Sequence, residues 1–144
     1  MISVTPVISA AAIYTAGDAL GGRLEFPAVV TVASGQAVVT KVVIVDDDLE
    51  DAPIDLVFFD QPFTATADNA PFDPSDADLQ NCLGYVSVAA TDYASFVDNS
   101  VACVTPKFDI DSHTWILYAQ MVVRGTPTYT AVDDLTIKIA VERI

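Results

Sequence analysis

The residues whose types and spacing could do chemistry are gathered in VVIVDDDLED, positions 42–51, where an apolar run gives way to Asp46, Asp47, Asp48, Leu49, Glu50 and Asp51. Carboxylates at alternate positions are how a calcium loop presents its oxygens, and Asp46, Asp48 and Glu50 fall at positions one, three and five of such a loop. An EF-hand also needs glycine at position six, for its sharp turn, and a bidentate glutamate at position twelve. Asp51 and Val57 stand there instead, which excludes the EF-hand. An irregular calcium site using Asp46, Asp48 and Glu50 stays open beside the plainer reading of a solvated acidic turn between strands.

Other chemistry is sparse. His113 is the single histidine, so a histidine-dependent triad or a zinc site would rest on it alone, and beside Asp111 and Ser112 it reads as a turn residue. Gly21 and Gly22 form neither a GxGxxG fingerprint nor a P-loop, and no GxSxG elbow occurs. A glycosidase needs two carboxylates about 5–9 Å apart in a cleft, a pairing that sequence cannot place among twenty acids. Phe58, Phe59, Phe63, Trp115 and Tyr118 could line a sugar-binding face, but they lie in or beside strands that need buried partners, so core packing is the expectation. No cofactor and no enzymatic activity are expected.

The elements that would hold these residues belong to a chain of 144 residues, about one domain, residues 1–144. Net charge is −14, and fifteen of the twenty acids lie between Asp46 and Asp111 with Lys107 the only base among them. The six basic residues are scattered singly, so no stripe can neutralise a phosphate backbone and nucleic acid is not an expected partner. No apolar run reaches the roughly 18 residues of a spanning helix, and the first residues lack the basic lead of a secretory signal, so neither membrane insertion nor export is expected. Cys82 and Cys103 stand apart, without a CxxC pair, and read as reduced, buried structural residues.

Period-two alternation is clearest in Leu135, Ile137, Ile139 and Val141, the signature of a half-buried strand. Residues 113–124 read as another long strand, with Gly125 and Pro127 punctuating the join. Segments 37–45 and 54–60 form a second pair around the acidic turn, and both are apolar on two faces, as at the centre of a sandwich or against a neighbouring subunit. Shorter candidates are 84–89, 92–98 and 100–105, with one or two strands in 21–33. One short helix is expected over about 74–82, with Asp73 as cap, Pro74 in the first turn and Gly84 as stop. The expected architecture is all-β: a two-sheet antiparallel β-sandwich, of which the jelly roll is one form, with residues 1–12 as a candidate extended arm.

Three stretches, VTPVISAAAIYTAGDALGGRLEF, DNAPFDPSDADLQNCLGYVSV and LYAQMVVRGTPTYTAVDDLTIKIAVERI, together span most of the chain. As an ordered set they resemble small β-sandwich virion structural proteins of tailed bacteriophages. The resemblance implies a non-enzymatic capsid decoration or cement protein, made in the host cytoplasm and carried on the capsid exterior, that binds the assembled major capsid protein shell and associates with itself, with a homotrimer as the expectation. A neck or tail component is the alternative within the same resemblance, and a carbohydrate- or calcium-binding module the alternative outside it. Termini and long loops carry recognition in sandwich proteins, so the expected partner contacts are Val4, Pro6, Ile8 and Tyr14 near the start and Arg124, Thr126, Pro127 and Tyr129 in the later loop.

Overall fold

A computed structural model describes residues 1–31 and 35–144. Among the described residues ten strands follow one another: β1 (Ile2–Val4), β2 (Ala19–Phe26), β3 (Gly35–Asp46), β4 (Ile54–Phe59), β5 (Cys82–Val88), β6 (Tyr93–Ser95), β7 (Ser100–Val104), β8 (Phe108–Ser112), β9 (Leu117–Val123) and β10 (Leu135–Arg143), with one turn of α-helix, α1 (Asp76–Leu79), before β5. One sheet runs β1-β10-β3-β7-β6 with β8 continuing the β7 side of β3, and the other runs β2-β9-β4-β5. Every pairing is antiparallel.

The pairs nest: β1 with β10, β2 with β9, β3 with β7 and β8, β4 with β5. The chain is thus one long hairpin, rolled so that β10 also meets β3 and β9 also meets β4, which is the jelly roll. Alternating inward residues of both sheets make the main core, including Leu20, Phe26, Ile54, Leu56, Phe58 and Met121 from one side and Val42, Ile44, Ala102, Ile137 and Ile139 from the other.

Several expectations are corrected by this arrangement. Segments 37–45 and 54–60 are neighbours in sequence but lie in opposite sheets, as do 117–123 and 135–143, because each connection crosses the end of the sandwich. The long strand expected from His113 begins only at Leu117, and Phe108–Ser112, whose outward acids mask its alternation, forms a separate strand. A single strand lies in the 21–33 stretch, ending at Phe26 before Pro27, while residues 32–34 fall outside the described residues. The helix is shorter than 74–82: Ser75, not Asp73, caps it by accepting from the Asp78 N–H, and it ends at Leu79 with Gln80 as its C-cap. Gly84 is not its stop but part of β5, where φ of +129° and a Phe108 ring 3.0 Å from any added Cβ leave room for glycine alone. Cys103 is exposed rather than buried, and Cys82 is half-buried.

The 60–81 connection between β4 and β5 lies over the outside of the β2-β9-β4-β5 sheet. Phe63 stacks on Phe59 at 4.0 Å and joins Tyr118 in a second small core. Gln120, fully buried, accepts from the Thr66 N–H and donates to the carbonyls of Gly21 and Thr66, so the loop is tied to two strands at once. Asp68 accepts from the Gly21 N–H and the Tyr14 hydroxyl at 2.7 Å each, and from the Ser9 hydroxyl. This cover is why all seven residues of β9 are buried although they alternate between faces.

Candidate functional site

Three connections converge on the end of the sandwich where β3 finishes. The acidic turn carries the chain from β3 to β4, residues 124–134 carry it from β9 to β10, and residues 5–18 carry it from β1 to β2. The last two run antiparallel to each other: the Ile8 N–H donates to Val132 O, Ala11 to Tyr129 O and Tyr14 to Pro127 O, with Ile13 bridging Thr128. The two segments expected to contact a partner therefore contact each other first. Residues 1–12 are not a free arm, since Ile2–Val4 pairs with β10 and Pro6 lies 3.1 Å from where a Cβ on Gly21 would sit.

Asp46 organises the turn. Its side chain is fully buried, and its carboxylate accepts from the backbone N–H groups of Asp48, Glu50 and Asp51 at 2.9–3.0 Å. These bonds hold Leu49 and Asp51 at φ of 57° and 51°, a left-handed conformation that such residues adopt only when something holds it. Burial raises the Asp46 pKa, the three donors offsetting this only in part, and burial raises Glu50 as well, against a backbone hydrogen bond from Thr128. Asp48 accepts from the Thr130 N–H and hydroxyl, and the Asp47 N–H donates to Asp134 O. The carboxylates of Asp46, Asp48 and Glu50 are thus turned toward three different sets of donors in the chain, not toward one another. Among the described residues no three His, Cys, Asp or Glu side chains are grouped to hold a metal ion.

Beneath the turn lie buried hydroxyls. Tyr129 has its pKa raised by burial and then by Asp46, Tyr93 also has its pKa raised by burial, and Tyr14 is pushed up to about 12 by burial and its bond to Asp68. Tyr93 donates to Ala52 O, whereas Tyr129 Oη, Ser100 Oγ and Asp51 Oδ1 are buried without a protein partner. Asp46 and Ser100 are register partners with inward side chains, and Asp51 reaches from Asp46 to the Ser95 hydroxyl, so these polar atoms gather at one sheet end.

The expected contact residues separate by burial. Pro6, Ile8, Tyr14, Pro127 and Tyr129 are buried in the fold itself, and their side chains are spent on the chain's own packing, with Tyr14 and Tyr129 meeting edge to face at 6.1 Å. This corrects their assignment as contacts. Val4 is half-buried against the main core, Thr126 is exposed, and Arg124 is exposed and paired with Asp55 at 2.8 Å. The outward apolar residues of the two segments are instead Val7, Ile13 and Val132, at 74 %, 65 % and 49 % exposure. Sequence inspection missed them because neither segment has a period that separates outward from inward positions.

His113 sits in the turn before β9, with Nδ1 2.7 Å from Asp60 Oδ2. Its partner is neither neighbour in sequence, and the Ser112 hydroxyl donates to Thr114 O, so Ser112 is not aligned with the imidazole. Trp115 is half-exposed, whereas Phe58, Phe59, Phe63 and Tyr118 are core. Comparison with protein-family models, curated proteins and solved structures finds no match to this chain.

Proposed function

We propose that this protein is a non-enzymatic decoration protein of a bacteriophage capsid, which binds the assembled major capsid protein shell through the crossing end of its jelly roll. The observation that supports the reading is the pairing of residues 7–14 with 127–132: two connections locked by their own hydrogen bonds present Val7, Ile13 and Val132 outward beside the Asp47, Asp48 and Asp133 carboxylates. A preorganised apolar patch with a charged rim loses little conformational entropy on docking and selects a partner with basic residues around an apolar centre. Binding assembled shell in preference to free subunits stabilises the shell by mass action, by about 2.7 kcal/mol per site at one hundred times Kd.

The test begins with purified virions, in which the protein should be present in a fixed ratio to the major capsid protein. Shells lacking it should disassemble at lower temperature and recover when it is added back. Ile13→Glu and Val132→Glu, both at exposed positions, should weaken shell binding by about tenfold or more while leaving the fold unchanged. Absence from virions, or equal binding by these variants, would sink the proposal.

A further inference from the structure

We infer that the outer face of the β1-β10-β3-β7-β6 sheet is a self-association surface that pairs two copies of this chain about a two-fold axis. The strand registers fix which residues lie side by side on it. Ser3, Lys138, Val43 and Cys103 make one outward row, and Thr136, Val45, Val101 and Ala94 the next. Val43, Val45 and Val101 belong to neither core, and among the described residues no segment covers them. Toward the other end of β3 come Ala140 with Lys41, then Glu142, Val38 and Asp109.

The occupant follows from how charge and shape are distributed. Lys138 and Lys41 form a basic band within the apolar rows, in a chain with only six basic residues, and Glu142 and Asp109 form an acidic band beyond it. At the Asp46 end of β3 the β6–β7 hairpin tip holds out Phe96 and Val97, 62 % and 96 % exposed. At the Gly35 end a pocket lined by Ala37, Leu83, Ile110 and Ile144 opens beside Asp109 and Asp111. A two-fold axis lying across the strands near Lys41 turns one copy end for end over the other. It sets Lys138 against Glu142 of the second copy, Val43 against Val38 and the hairpin tip toward the pocket, while Lys41, on the axis, meets its own counterpart, a like-charge contact that the two flanking Lys138–Glu142 pairs must outweigh. One surface carrying both halves of each complementary pair closes as a dimer.

The size is adequate. The strands of this sheet run from three to twelve residues, and at about 3.3 Å per residue and about 4.8 Å between strands they give roughly 590 Å² per copy, about 1,200 Å² in all, above the roughly 1,000 Å² that a specific interface needs. This pairing does not depend on the crossing end meeting a shell.

Sedimentation of the full chain over about a hundredfold range of concentration tests the inference directly. A reversible dimer is expected. Lys138→Glu and Glu142→Lys should each weaken it by about tenfold or more, and the double variant should recover the affinity, because both contacts are then opposite in sign again. In a Cys82→Ser background, alkylation of exposed Cys103 should slow as dimer forms. A monomer at every concentration, a trimer, or a dimer indifferent to both charge reversals would each overturn the inference.

Discussion

The outer faces of the two sheets have been treated in opposite ways by the same chain. Over the β2-β9-β4-β5 sheet the 60–81 connection is folded down, with Phe63 on Phe59 and Gln120 holding Thr66, so that face has become interior. Over the other sheet nothing comparable lies among the described residues, and Val43, Val45 and Val101 remain half-exposed beside Lys41 and Lys138. Both central strands, β3 and β4, are apolar on two faces. The same pattern therefore has two outcomes here: one strand is covered by its own chain, and the other keeps an open face, which the proposed pairing of two copies would cover.

The contrast should break most visibly at Phe59. Replacing this fully buried ring with alanine removes the floor of the second core and should cost about 3–5 kcal/mol in urea unfolding. A loss below about 1 kcal/mol would mean that the loop is not a true cover. Gln120→Ala leaves the Gly21 and Thr66 groups without their partner, and about 2–3 kcal/mol should be lost, with faster amide exchange at Thr66. Val45→Thr on the bare face, studied at concentrations where the chain is monomeric, should change stability by less than about 0.5 kcal/mol. A larger loss there would show that Val45 is interior.

A fourth test addresses the buried carboxylate between the two sheets. Because burial raises the folded-state pKa of Asp46 above its unfolded value, its linkage contribution is fully present below the unfolded pKa and is lost as pH rises through the folded pKa. Glu50 contributes with the same sign. Asp46→Asn removes that proton site, so wild type should gain stability relative to the variant as pH falls from neutral through the carboxylate range. A relative loss by wild type over that range would contradict the sign of the shift.

How much of this was legible in the sequence depended on whether a residue's role was local. The alternation of Leu135 to Val141 and the apolar runs of β3 and β4 announced strands, because inward positions recur at period two. Which strands pair was not legible. Asp47–Pro53 looks like a hairpin turn, but crossing between sheets is decided by the rolled topology, which no short stretch encodes. β8 was hidden because Asp109 and Asp111 point outward and dilute its apolar content. The helix was overextended because Asp73, Pro74 and Ser75 all offer N-terminal signals, and only the hydrogen bond to Asp78 selects Ser75.

The acidic turn and the two segments expected to contact a partner stand apart in the sequence and lie at one end of the fold, where Val7, Ile13 and Val132 face outward without a sequence period to mark them. Asp60 was likewise invisible as the partner of His113, being 53 residues away. What Asp46 does could be found only by asking where the turn's own N–H groups go.

The nesting of the strands also sets an order of events during synthesis. β10 is made after every other strand, yet it lies between β1 and β3, inside its sheet rather than at the edge. Until it leaves the ribosome, β1 lacks the strand it pairs with and the side of β3 that β10 will occupy is an open row of backbone donors and acceptors. This sheet is therefore joined up only once Leu135–Arg143 has been made, and a product cut short before Leu135 would expose a sticky sheet edge.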